Sequence, residues 1–451
     1  MLIVIYLLYV KLSETIHINR LLGGRHLFLL NKAEKSQDLS QTIQHFASDA
    51  KGPVNLATAL CSLVNGQSVR SPAQAALING MAAHYFDFDD TSFLGIVHGT
   101  AVIWPAALAM VQKSGGTGKD LLLAFVLGSE ALYYLGDCLG NDHYRKGWWS
   151  SATLGIFGAT IAASKAAHLN QEQTRNALRL ASTHAFGVRS VFGAAAKPFL
   201  LGRTAQTGVE CAQFGMANLS APEHSFEGSS GFVETFNDGQ FNSSLLTTLG
   251  KQYRLTDPGV AIKLYPVCSA AQAGTEAVME LIKTHHISAE DITKIEMRVT
   301  ELVATQLRYS HANNVAEAQF CLPFTVASIV LRQRLGIEEL NEAYLNSDPI
   351  QSMMNKVEMI ADDSILSQIP DPDAAPESAH AFIHLKSGQI LDLFNPIATG
   401  MPGKTIPNAE LDRKFIRCVE RTRGSDKSAL IKSSLENLET LSNLRMIFTK
   451  N

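Results

Sequence analysis

The stretch from Ser71 to about Asn218 constrains the fold more than any other part of the chain. It is dense in Ala, Leu and Gly, runs in helix-length segments and almost lacks the β-branched alternation of strands. It reads as all-α. Gly, Ser and Asn breakers divide it into helices expected over Ser71–Phe86, Thr100–Lys113, Lys119–Leu135, Ser151–His168, Gln171–Phe186 and Gly202–Ala217. The segment Lys119–Leu135 is apolar nearly all round, as suits a helix enclosed by others. The small residues of Ala152–Ala167 read as close helix packing.

The texture changes after Pro258. Ile295, Met297 and Val299 alternate with polar neighbours, Val357 and Met359 do the same, and Ala381–Leu385 and Ile390–Phe394 flank Ser387 and Gly388 as a hairpin does. Helical stretches over Glu317–Arg334 and Ile337–Asn346 lie between the strands. Residues 266–400 therefore read as an α+β module. After Pro396, Pro402 and Pro407, helical patterns resume over Asn408–Arg421 and Ser425–Leu444, so the tail is expected to rejoin the helical part.

The fold class is thus mainly α. A large, discontinuous helical domain (residues 1–265 and 401–451) carries an inserted, smaller α+β domain (266–400). A chain of 451 residues, 46% hydrophobic and 18% charged, has ample material for such a core. Its net charge of −4 provides no basic face for nucleic acid or acidic lipid. The six cysteines form no C-x-x-C pair, which argues against a zinc site or a disulfide framework and for a reducing, cytoplasmic compartment. The apolar run Leu2–Val10 is too short to span a bilayer and is expected to be a buried or frayed terminal segment, so no membrane partner is expected.

Chemistry concentrates in Asn79–Pro105. Asp87, Asp89 and Asp90 lie among Phe86, Phe88 and Phe93, an environment that desolvates carboxylates and shifts their pKa values. Asp89 or Asp90 alternatively serves only as a helix cap. His98 precedes Gly99 and Thr100 at an expected helix start, where backbone N–H groups favour a neutral, proton-accepting ring. The string Asp87-x-Asp89-Asp90 also fits the magnesium-binding acid motif of terpene cyclases, but 8% aromatic residues is sparse for a carbocation pocket. Lys197, between Ala194–Ala196 and Pro198, and Lys263, opening Lys263-Leu264-Tyr265-Pro266, each place an ammonium in apolar surroundings. Such a charge needs either a bound carboxylate or an internal salt bridge.

Taken together, these segments resemble the MmgE/PrpD family, which includes 2-methylcitrate dehydratase, cis-aconitate decarboxylase and iminodisuccinate epimerase. One block comprises Asn79-Gly80, His84, Asp87–Thr91, His98 and Pro105. A second comprises Ala196-Lys197, Gly202–Ala205, Gly208, Pro222, Glu227-Gly228 and Gly231-Phe232. Lys263–Cys268, Glu317–Phe320 with Val326-Ala327, and Pro402–Phe415 complete the ordered set, which covers about residues 50–420.

The resemblance implies a helical body with an α+β lid and an active site between them. It implies that His98, Asp87, Lys197 and Lys263 are catalytic, and that Thr91, Lys197, Lys263 and Cys268 bind substrate. It further implies a homodimer needing neither metal nor organic cofactor. The activity it implies is that of a lyase, dehydratase or decarboxylase, acting on a small di- or tricarboxylate by proton transfer at a carbon next to a carboxylate. An epimerase sharing the enolate-like step is a second reading, and a carboxylate binder without turnover a third. Three residue-level departures from the family stand out. Trp149 occupies a position where histidine is common, Phe324 one where tyrosine is common, and the loop from Thr91 to His98 is one residue longer than in the decarboxylase.

Overall fold

Ser71 starts the first long helix. Its backbone is extended and its hydroxyl accepts the Gln74 N–H at 3.2 Å, while Pro72 occupies the first turn, where no backbone donor is lost. The computed structural model describes residues 61–63, 68–69, 71–370, 372 and 375–444. The apolar run Leu2–Val10 lies outside them.

Six long helices follow in the first half: α1 (Pro72–His84), α2 (Thr100–Ser114), α3 (Gly118–Leu139), α4 (Gly155–Ala166), α5 (Gln171–Thr183) and α6 (Ala196–Met216). Capping boxes at Thr117/Asp120 and Asn170/Gln173 start α3 and α5. The stretch expected as one helix over Ser151–His168 breaks at Leu154, with a short helix at Ser150–Thr153 ahead of α4. Helix α6 begins six residues before the expected Gly202, because Pro198 falls in its first turn, where a missing N–H costs no hydrogen bond. By length and composition α3 is apolar enough to cross a membrane, but 89% of its apolar window is buried inside the protein.

Helix α1 packs directly on α6, and glycines set their spacing. A Cβ on Gly202 would lie 2.4 Å from the Leu77 carbonyl oxygen, and one on Gly80 would lie 3.0 Å from the Gly202 Cα. This close crossing joins the two helices whose ends carry His84 and Lys197.

The second half contains a four-stranded sheet built from β3 (Ile292–Val299), β4 (Val357–Ala361), β5 (Ala379–Leu385) and β6 (Ile390–Asn395), after the two-residue strands β1 (Asp90–Thr91) and β2 (Ala261–Ile262). The order is β4-β3-β5-β6, with β3 and β4 parallel and the other pairs antiparallel. Ile295, Met297 and Val299 point into the core, in line with their alternation in the sequence. Helices α7 (Gln272–His285) and α8 (Leu322–Arg332) pack against the sheet and each other.

The C-terminal helices α9 (Asn408–Arg423) and α10 (Ser425–Glu436) follow. The chain then reaches back to the helical half: Gly118 N–H donates to the Leu441 carbonyl at 2.8 Å, and the Gln112 amide to that of Leu444 at 2.8 Å. Helices make up 56% of the structure and strands 10%, so the fold is mainly α.

Candidate active site

Helix α1 ends at His84, and three residues later Asp87 adopts a left-handed backbone (φ 48°) that non-glycine residues rarely hold. That turn is held from outside. The Lys263 ammonium donates to the Asp87 carbonyl at 2.9 Å and to its Oδ1 at 2.8 Å. Lys263 reaches this point because β2 ends at the preceding residue and pairs with β1, aligning Ile262 with Asp90. Lys414 of α9 ties the same region together, donating to the carbonyls of Phe88 and Lys263 at 2.9 and 2.7 Å.

From α6, Lys197 completes a buried network. Its ammonium lies 3.0 Å from Asp87 Oδ1 and 2.6 Å from His84 Nε2. An ammonium only donates, so His84 Nε2 accepts and its Nδ1 carries the proton, donated to Asp89 at 2.8 Å. The internal salt bridge therefore accounts for both lysines, with Asp87 as their common counter-ion. Asp90 takes the capping role: its Oδ1 accepts the Thr100 N–H at the start of α2.

His98 stands beside this network, its ring centroid 4.6 Å from that of His84. Its Nδ1 lies 2.8 Å from the Asp90 carbonyl oxygen, an acceptor only, so Nδ1 holds the proton and Nε2 keeps its lone pair. That Nε2 is 3.8 Å from Asp87 Oδ1, and the Thr91 hydroxyl is 3.3 Å from Nδ1. Ser151 accepts the His98 backbone N–H at 2.9 Å and fixes the main chain.

Burial dominates the electrostatics. It lowers the His98 pKa to about 3, with Asp89 opposing and Lys263 and Lys197 assisting. His84 is also held well below its ordinary value, by burial and then by Lys197. Burial would raise the Asp87 carboxyl, but the adjacent Lys197 and Lys263 outweigh it and hold Asp87 well below the carboxylate range. Burial raises Asp89. The site thus contains neutral imidazoles beside a carboxylate shared by two ammonium ions.

A cavity with about 280 Å³ of empty space, counting its mouth, opens onto these groups. Asp87, Thr91, His98 and Lys197 line one wall, and Cys268, Ser269, Gln306 and Phe320 line another. Lys263 is fully buried and lies behind Asp87, outside the lining, so it meets a ligand only through Asp87. Burial pushes the Cys268 thiol up to about 12, which keeps it a neutral wall residue.

Trp149 also lines the cavity, and its ring lies 5.2 Å from the Lys197 ammonium as a cation–π partner. Phe324 packs edge-on against Tyr344 inside the sheet module and is not among the lining residues; Phe320 is.

His84, Asp87, Asp89 and His98 offer ligand atoms within 4.8 Å of one another, a spacing compatible with a metal ion. Most of these atoms are already committed, with Asp87 Oδ2 and His98 Nε2 left over, and the two ammonium groups beside them repel a cation. Lys197 occupies His84 Nε2, two ammonium groups occupy Asp87 Oδ1, and the Nδ1 atoms of both histidines carry protons. The constellation is suited to holding anions and moving protons.

Sequence reasoning singled out Asp87, Thr91, His98, Lys197, Lys263 and Cys268, and the structure brings all of them to this place. It assigned no role to His84, Ser269 or Gln306. His84 had a signal, one helical turn before Asp87, whereas the other two gain their meaning only from the fold.

Comparison with known proteins points the same way. Residues 38–244 match the MmgE/PrpD N-terminal domain, and residues 265–440 match the MmgE/PrpD C-terminal domain. Cis-aconitate decarboxylase of Homo sapiens is 23% identical over 398 residues, covering 84% of this chain and 79% of that protein. The Mus musculus cis-aconitate decarboxylase is 23% identical over 388 residues, with coverage of 82% and 75%. A cis-aconitate decarboxylase-like protein, oryM, of Aspergillus oryzae is 22% identical over 404 residues, with coverage of 84% and 82%. With both domains matched in order across most of its length, the chain belongs to the MmgE/PrpD family.

Proposed function

We propose that the chain is a lyase of a small di- or tricarboxylate, of decarboxylase or dehydratase type, working through proton transfer at a carbon next to a carboxylate. The observation that carries this reading is the tautomer of His98. A carbonyl holds its Nδ1 proton, leaving the Nε2 lone pair beside a cavity that Lys197 also lines. The names of the relatives, which are decarboxylases of cis-aconitate, support the substrate class.

Loss of a proton or of carbon dioxide leaves an electron pair on carbon that spreads onto the neighbouring carboxylate. The Lys197 ammonium stabilises that growing charge, and fixed cations lower the barrier most where charge appears in the transition state. Neutral in the empty site, His98 gains basicity when a polyanion enters, and it then exchanges a proton with the reacting carbon through Nε2. Asp87 tunes His98 and binds both lysines, and Thr91 contacts substrate oxygen. In the same reading residues 266–400 are the lid over the helical body and the protein is a homodimer without metal or organic cofactor, as the family resemblance implies, and its cysteine usage suits the cytoplasm.

The test is incubation of the purified protein in deuterated buffer with cis-aconitate, 2-methylcitrate, citrate and iminodisuccinate, followed by NMR. Net conversion of one acid with deuterium incorporation is expected. His98→Gln should lower the rate about 10²- to 10⁴-fold while the ligand still raises the melting temperature. A wild-type rate in that variant overturns the assignment. Exchange without net conversion identifies an epimerase, and stabilisation without exchange a binder.

A further inference from the structure

The mechanism leaves unused a buried carboxyl directly behind the cavity wall contributed by the sheet module. Glu377, just before β5, is 5% exposed, and its Oε1 accepts the Ser269 hydroxyl at 2.8 Å. Its Oε2 is buried and has no hydrogen-bond partner among the described residues. Ser269 lines the cavity. So does Gln306, which is 2% exposed and whose Nε2 is likewise buried without a partner. The Cys268 thiol, 3.6 Å away, donates to Gln306 Oε1 and so turns the amide nitrogen away from itself. Buried polar atoms are nearly always paired, and an orphaned donor on a cavity wall marks a place where a ligand acceptor belongs.

The charge balance says what that acceptor is. Lys197 and Lys263 are both engaged with Asp87, so the wall they belong to offers little uncommitted positive charge to a polyanion. A second carboxylate of the ligand must find neutral donors instead. We propose that Gln306 Nε2 and Ser269 Oγ form a carboxylate-docking pair for the distal end of the substrate, and that Glu377 switches this pair on by taking up a proton as the ligand binds. This rests on the carboxylate reading of the site given above and adds the groups that recognise the end remote from His98.

The switch follows from hydrogen-bond direction. When Glu377 is ionised it is an acceptor only, and Ser269 spends its single proton on it. When Glu377 is protonated it donates to Ser269 Oγ, and the Ser269 proton turns to the cavity. No covalent bond changes; one proton moves from solvent to Glu377.

Burial raises the Glu377 pKa to about 7, with the Ser269 hydrogen bond and Lys263 opposing and Asp87 assisting. The other titratable groups that feel its charge are Tyr144 and Cys268, both pushed up by burial and neutral through this range. A carboxylate arriving at Ser269 adds negative charge beside Glu377 and raises its pKa further.

The test uses tricarballylate, a saturated tricarboxylate without the double bond or hydroxyl that reaction needs, titrated calorimetrically into the full chain. Titrations run from pH 6 to 8.5 in two buffers of different ionisation enthalpy. Wild type should take up close to no proton through Glu377 at pH 6 and approach one at pH 8.5, with affinity falling up to about tenfold per pH unit above 7. Uptake by His98 would grow in the opposite direction, toward acid, and is removed separately in His98→Gln.

Glu377→Gln, a permanent mimic of the neutral acid, should bind with flat affinity above pH 7 and no alkaline proton uptake. Ser269→Ala should also lose the uptake, and Gln306→Ala should bind about tenfold more weakly at every pH. Melting curves establish that each variant is folded, and Ser269→Ala keeps the test open if Glu377→Gln is not. Persistent alkaline uptake in the folded variants, or no tricarballylate binding by wild type at any pH, overturns the proposal. Pairwise outcomes separate it from the lyase reading: pH-linked binding without turnover of any acid leaves the docking pair standing and removes only the reaction.

Discussion

On the wall built from α1, α6 and the loop to His98, both ammonium groups lie within 3.0 Å of Asp87, and both histidines have their protons placed by fixed acceptors. On the wall from the sheet module, Gln306 Nε2 is buried without a partner among the described residues, as is Oε2 of Glu377 behind Ser269. The charges of the first wall are already paired, although Asp87 Oδ2 is left without a hydrogen bond among the described residues; on the second wall it is a donor that is left over. Preorganised charge belongs where the transition state develops its own, because no reorganisation is then needed during reaction. Orphaned donors belong where binding is to be rewarded, since each gains its missing hydrogen bond only in the complex.

Removing the charge at the centre of the first wall is the largest test of this difference. Asp87→Asn leaves two buried ammonium groups without their shared counter-ion and should destabilise the protein by about 3–5 kcal/mol, measured by urea unfolding. It should also abolish turnover in whatever fraction remains folded. A loss below about 1 kcal/mol would mean that the network is not held together by Asp87.

That network was partly legible in the sequence. Three aspartates among phenylalanines, a histidine seven residues after Thr91, and two lysines in apolar turns are improbable unless something pairs them, and each carried its own signal. What the sequence left open was who pairs with whom. A lysine in an apolar setting demands an anion, but only the β1–β2 pairing and the α1–α6 crossing decide that Asp87 supplies it to both. The strands of the sheet were legible because one face is buried, which writes a period of two into the chain. Gln306 and Glu377 were not. Each is an ordinary polar residue locally, and its importance comes from partners distant in sequence: Cys268 meets Gln306 across 38 residues and Ser269 meets Glu377 across 108.

The histidines provide a second test, through acid stability. Unfolded histidine titrates near 6.5, whereas buried His98 titrates at about 3 and His84 is also well below its ordinary value. Between those limits each of these histidines binds more protons in the unfolded chain than in the native one, so each lowers native stability as pH drops from 6.5 toward 3. The buried carboxyls Glu377 and Glu130, which burial raises to about 7, act in the opposite direction. The slope is about 1.4 kcal/mol per pH unit for each histidine. The difference between wild type and His98→Gln in urea unfolding across this range should show one histidine's share. An unchanged slope in that variant would mean that His98 is not buried as a neutral ring.

Spacing between α1 and α6 is a finer control on the same wall. Gly202→Ala places a methyl group 2.4 Å from the Leu77 carbonyl oxygen, too close to stand without a shift of backbone. Overpacking of this kind costs about 1–3 kcal/mol. The shift separates the helices that carry His84 and Lys197, so activity should fall further than the stability loss explains in the folded fraction. A normal rate from a destabilised protein would show that the Lys197 contacts tolerate displacement.

The smallest stability effect belongs to the other wall. Gln306→Leu keeps the bulk of the side chain, and the Nε2 it removes has no partner to lose; only the weak thiol contact from Cys268 disappears. Replacing an unsatisfied amide with an apolar group of similar shape should therefore change unfolding free energy by less than about 1 kcal/mol, and in the stabilising direction if burial of the bare amide dominates. Ligand-induced stabilisation should nevertheless shrink. If Gln306→Leu instead cost as much as Asp87→Asn, the amide would be part of the folded scaffold, and the contrast between a wall of paired charges and one with a donor to spare would fail at its most exposed point.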